Sequence, residues 1–116
     1  MTKKLCEIAK INSLSAKLKL HENDILVSRA SKKIVRITKD NIEEYQDKTI
    51  YLVISPSSKY VDSIYNSLKS KEYEVWFKNN AEGTAQPTIN VLALNNYEIN
   101  IWITIVFVIY KWNNLK

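Results

Sequence analysis

A single glycine in 116 residues is the tightest constraint on how this chain can turn. Glycine alone takes left-handed backbone conformations without steric penalty, so nearly every reversal must be built from residues that carry a side chain. The one freely left-handed position opens the segment Gly83-Thr84-Ala85-Gln86-Pro87-Thr88-Ile89-Asn90. Pro87, one of two prolines, removes a backbone donor four residues later, so the segment is a loop. Thr84, Gln86, Thr88 and Asn90 alternate with Ala85, Pro87 and Ile89. A locally extended backbone would therefore present the polar groups on one side.

The rest of the chain has the composition of an ordered protein, 46% apolar and 25% charged, and the length of one compact domain. Cys6 is the only cysteine, so no intramolecular disulfide can form. Lys3 and Lys4 lead into a mixed segment rather than an apolar leader, and a reducing cytoplasm is the expected compartment.

Hydrophobic periodicity predicts an α+β fold: a mixed, mainly antiparallel sheet with one long helix and one or two short ones. Residues 3 to 11 place Leu5, Ile8 and Ala9, with Cys6, at helical spacing, though an extended start fits the same residues. Ala16 to Leu20 alternates as a half-buried strand. Residues 21 to 24 read as a turn, Ile25 to Ser28 and Ile34 to Thr38 as strands. Asp40-Asn41-Ile42-Glu43 has the capping-box pattern of a brief helix start. Thr49 to Ile54 is a β-branched and aromatic run without charge, the mark of a buried central strand. Tyr60, Val61, Ile64, Tyr65 and Leu68 lie on one face of a helix from about Ser58 to Ser70. Glu74 to Phe77 and Thr88 to Leu94 are read as further strands. Ile99 to Tyr110 is too β-branched for a good helix and too short to cross a bilayer, so it reads as a strand that would be adhesive at a sheet edge.

Positive charge is concentrated at the front. Residues 1 to 40 carry ten basic and four acidic side chains, whereas residues 41 to 116 carry seven and eight. Between Ser28 and Lys39 lie Arg29, Lys32, Lys33, Arg36 and Lys39 with no carboxylate among them. Such density favours a polyanion through counterion release, and equally suits a solvated turn between strands.

Several chemistries lack their residues. Methyl transfer needs a glycine-bearing cofactor loop and an Asn/Asp-Pro-Pro-aromatic site, and the chain has one glycine and no Pro-Pro pair. His21 and Cys6 are the only candidates for a nucleophile-base pair, and a zinc site lacks ligands. His21 reads as a turn residue and Cys6 as a small core side chain. Glu43, Glu44 and Asp47 suit a solvated helix face more than a metal cage. No cofactor is expected.

Three segments in order, Leu5-Cys6-Glu7-Ile8-Ala9, Asp24-Ile25-Leu26 and the Gly83 to Asn90 loop, joined by the helix Tyr60 to Ser70 and the later Leu94-Asn95-Asn96-Tyr97-Glu98-Ile99, resemble the target-recognition domain of type I restriction-modification specificity subunits. The resemblance covers residues 4 to 99. It implies a non-catalytic module that reads half of a bipartite DNA target, with double-stranded DNA and separate modification (methyltransferase) and restriction subunits as partners, and no membrane. On side-chain chemistry, Arg29, Lys32, Lys33 and Arg36 are candidates for phosphate contacts. Lys78, Asn79, Thr84, Gln86 and Asn90 are candidates for groove edges, while the same loop could simply cap strand ends.

The tail, residues 100 to 116, departs from that pattern. Family members continue into a proline-bearing segment and a long helix, and neither occurs here, which suggests a truncated subunit or a single excised domain. A rival expectation is a small interaction protein of phage or mobile-element origin that binds a modification subunit, or self-associates through residues 99 to 110, without reading DNA.

Overall fold

In a computed structural model that describes residues 2–100, the short strand β1 (Thr2–Lys4) runs directly into one helical turn, α1 (Leu5–Ile8), and then into β2 (Ala9–Ser13). The Glu7 carboxylate accepts the Lys4 backbone N–H at 3.0 Å, which closes that turn at its start and resolves the helical and extended readings of residues 3 to 11 into both. Leu5 and Ile8 point inward, but Cys6 is exposed, so its reading as a core side chain is corrected.

Strands β2, β3 (Ile25–Ser28), β4 (Ile34–Arg36) and β5 (Tyr51–Pro56) form an antiparallel sheet in the order β2-β5-β3-β4. The two inner strands are the ones with uninterrupted apolar runs, because both faces of β3 and β5 are covered. Toward one face go Ile11, Ile25, Val27, Ile34, Leu52 and Ile54, packed with Ile64, Leu68, Tyr73, Ile89 and Leu94. Toward the other go Leu26, Tyr51 and Val53, packed with Leu14, Leu20 and Ile37.

The first face is covered by helices. A 3₁₀ turn at Ser58–Tyr60 leads into α3 (Val61–Leu68), with Val61, Ile64 and Leu68 buried as their spacing predicts. The next helix, α4 (Lys71–Asn80), replaces the strand expected at Glu74 to Phe77. Its Tyr73, Trp76 and Phe77 fall three and four residues apart and so share one helical side, with Tyr73 stacked on Trp76 at 5.5 Å. The short α5 (Val91–Asn95) likewise replaces most of the strand expected over Thr88 to Leu94. Asn90 caps it, its Oδ1 accepting the Ala93 N–H at 2.8 Å, and this local bond overrides the β preference of Ile89 and Val91.

The second face is covered by irregular chain and α2 (Ile42–Tyr45). No strand forms at Ala16 to Leu20. That segment turns at Ser15–Leu18, and its backbone bonds go to the Gln46 side chain, which accepts from Leu20 N at 3.1 Å and donates to Leu18 O at 2.6 Å. Leu20 still reaches the core and Leu18 half does. Nor does the Asp40 capping box form: Asn41 precedes α2 but turns its Oδ1 back to the Thr38 N–H at 2.7 Å. His21 occupies a turn, as its neighbours predict, accepting the Asp24 N–H at 3.1 Å.

The fold is thus α+β in a single domain, with two longer helices where one was expected, and three short ones among the described residues. Strand β6 (Glu98–Asn100) pairs antiparallel with β1. The remainder of the strand expected at 99 to 110, and the tail to 116, lie outside the described residues. No described helix is long and apolar enough to cross a membrane.

Candidate nucleic-acid interface

The turn between β3 and β4 is built without glycine. Ser28 ends β3 with its N–H donating to Lys33 O at 3.0 Å, and its hydroxyl accepts the N–H groups of Ala30 and Ser31 at 3.2 Å each. Ser31 Oγ in turn accepts from Lys33 N at 3.3 Å. These side-chain acceptors take over donors that a sheet would otherwise satisfy, and the fixed turn projects its lysines from one end of the sheet.

Arg29 anchors the neighbourhood rather than reaching outward. Its N–H donates to Ile50 O at 3.0 Å, its carbonyl accepts the Ile89 N–H at 2.9 Å, and Nη2 donates to Ser13 Oγ at 2.8 Å. Nε is buried and has no partner among the described residues. The Gly83 loop is thereby tied to the start of the basic turn.

Lys32 extends toward α4. Its ammonium lies 3.4 Å from Glu74 Oε1, and Lys78, one helical turn further along α4, lies 3.8 Å from the same oxygen. One carboxylate therefore draws two of the sequence-predicted cations together. Lys33 goes the other way, its ammonium 5.8 Å from the centre of the Tyr45 ring, which Lys48 also approaches at 5.1 Å. The Tyr51 phenol, and to a smaller extent that of Tyr45, raises the exposed Lys33 ammonium above its ordinary value.

Arg36 is not part of this group. At the far end of β4 it donates to Asp62 Oδ1 at 2.8 Å and to Asn23 Oδ1 at 3.2 Å, beside the Tyr65 ring. Its place as the last residue of β4 keeps it away from the turn that the sequence suggested it would join, and the Asp62 carboxylate offsets its charge.

Gly83 takes φ +127°, and a Cβ there would lie 3.2 Å from Gln86 O, so the glycine is required as its uniqueness implied. The loop does not run extended, however. Glu82 and Thr88 exchange both backbone hydrogen bonds, at 2.8 and 2.9 Å, and the chain reverses between them. Thr84 and Gln86 are exposed on that reversal, without the one-sided alternation expected of a strand. Asn79 is exposed beside Lys78 on α4, while Asn90 is engaged as the α5 cap.

Two cations that periodicity did not single out complete this end. Lys69 and Lys71 flank Ser70 at the α3–α4 junction. Together with Lys32 and Glu74 they line an open concavity of about 770 Å³ whose lining also includes Ile34, Leu68 and Tyr73. The Lys-Ser-Lys sequence was the available signal, and it gains meaning only once the junction is seen beside the β3–β4 turn. Tyr73 is wholly buried, its hydroxyl without a partner among the described residues, and burial, with a smaller contribution from Tyr97, pushes the phenol well above its ordinary range. Burial also raises Tyr97, against the opposing hydrogen bond with Ser67 Oγ at 2.9 Å.

No protein-family model, curated protein or solved structure matches this chain.

Proposed function

We propose that this chain is a non-catalytic, double-stranded-DNA-binding module, operating in the cytoplasm as the target-recognition domain of a type I restriction-modification specificity subunit. In that role it contacts half of a bipartite site while separate modification and restriction subunits carry the chemistry. The observation that carries this reading is the convergence of Lys32, Lys78 and the Gly83 loop on one end of the sheet, through the shared Glu74 carboxylate and the Ile89–Arg29 backbone bond. Lysines there neutralise phosphates and set register, and the exposed Thr84 and Gln86 side chains offer donors and acceptors to base edges.

Fluorescence anisotropy on random-sequence duplexes, titrated from low to physiological salt, tests the binding itself. A linear fall of log K with log salt supports it. Gln86→Ala tests reading: it should change the ranking of sequences selected from a randomised duplex pool while leaving non-specific affinity unaltered. A protein that binds no duplex at low salt, yet forms dimers in gel filtration or captures a modification subunit, is an interaction protein instead.

A further inference from the structure

We propose that the concavity between the β3–β4 turn and the α3–α4 junction binds a discrete phosphate group, a site distinct from the loop that contacts base edges. This proposal does not require that the chain bind a duplex.

Three lysines from two segments, Lys32 of the β3–β4 turn and Lys69 and Lys71 of the α3–α4 junction, line one concavity whose lining holds a single carboxylate residue, Glu74. Lys33 also lines it, but its ammonium is directed to Tyr45 and is left out of the charge balance. The local excess is therefore positive, and the Glu74 contact to Lys32, at 3.4 Å across an exposed surface, is weak enough for an incoming phosphate to displace. The same concavity lies at the start of α4, a ten-residue helix. Ser70, its capping residue, does not cap it, because the hydroxyl donates to Ser67 O instead, at 2.5 Å. The first-turn N–H groups of α4 thus have no side-chain acceptor among the described residues, and their partial positive charge adds to that of the lysines. Tyr73, wholly buried and with an unpartnered hydroxyl, is part of the same lining.

A lone sheet of surface lysines would attract anions diffusely. Here the lysine residues line a recess that the start of α4 also borders, an arrangement that favours one phosphate in a fixed place. The phosphate could belong to a free nucleotide or to the 5′ end of a DNA strand, since both present the same dianionic group.

Backbone amide chemical shifts of the full chain, followed by nitrogen-15 NMR, distinguish these sources. Inorganic phosphate and adenosine 5′-monophosphate should each give saturable shifts concentrated at residues 69 to 74 and 31 to 33, with adenosine giving none. Lys69→Ala/Lys71→Ala, at exposed positions, should weaken that binding roughly tenfold or more, whereas Lys17→Ala, an exposed lysine elsewhere, should leave it unchanged. Tighter binding of a 5′-phosphorylated duplex than of the same duplex with a 5′-hydroxyl would assign the phosphate to a strand end. Equal binding of the two duplexes, with saturable nucleotide binding, would assign it to a free nucleotide. Shifts that never saturate, that spread over all lysines, or that survive the double substitution overturn the proposal. Because phosphate and nucleotide titrations contain no DNA, their failure is separable from a failure of duplex binding.

Discussion

Glu74→Gln should strengthen DNA binding, although it removes the carboxylate that Lys32 and Lys78 share. In the folded chain the Glu74 carboxylate lies 3.4 Å from one ammonium and 3.8 Å from the other. Each lysine must leave it, at least in part, to bind a phosphate. A phosphate held by either lysine would sit about 6 Å from the carboxylate, a repulsion on the order of 0.7 kcal/mol in water. Screening at 0.1 M salt reduces this to roughly 0.4 kcal/mol. One or two such phosphates correspond to binding about two- to fourfold tighter in the glutamine variant. Stability should barely change, because exposed pairs of this kind contribute roughly 0.2–1 kcal/mol. The assay is anisotropy against a labelled duplex at fixed pH and three salt concentrations, with thermal melting as the control. Unchanged or weaker binding by a variant with normal melting would refute the idea that Lys32 and Lys78 meet DNA on this side of the molecule.

Other substitutions test the scaffold. Gly83→Ala places a Cβ 3.2 Å from Gln86 O at φ +127° and should cost about 1–3 kcal/mol, read as a lowered denaturation midpoint. Tyr73→Phe removes a buried hydroxyl with no partner among the described residues and should be neutral or slightly stabilising, whereas Tyr97→Phe breaks the bond to Ser67 and should cost about 1 kcal/mol in chemical denaturation. Both phenols are raised by burial in the folded chain, so they stay protonated when unfolded tyrosines ionise. Their contribution is full below the unfolded value near 10 and is lost as pH rises above it. Melting followed from pH 8 to pH 11 should show a fall that Tyr73→Phe reduces.

The parts of the fold that could be read from sequence were those determined by local pattern. The apolar runs of β3 and β5 announce inner strands because both sheet faces are buried, and the spacing of Val61, Ile64 and Leu68 announces α3. Four residues, Glu74 to Phe77, are too few to separate a strand from a helix turn. Only the wider window, from Tyr73 to Ala81, reveals that the aromatics share a helical side. Ala16 to Leu20 alternates correctly for a strand, but Gln46, distant in the chain, takes its backbone bonds. Gly83 was legible because its conformation is a local demand. Partners were not: Arg36 looked available until Asp62 was found beside it, and Glu74 gave no sign of joining Lys32 to Lys78. The lysines at 69 and 71 acquire a role only from a junction that tertiary packing brings against the β3–β4 turn.

The salt dependence of duplex binding by Lys32→Ala/Lys33→Ala tests the central claim most directly, since every phosphate that is no longer neutralised lowers the slope of log K against log salt by about 0.9. A duplex resting on this end of the sheet predicts weaker binding on every sequence and a slope shallower by about 1 to 2. Parallel lines for the variant and the unaltered chain, at equal affinity, would place the DNA elsewhere or nowhere on this protein.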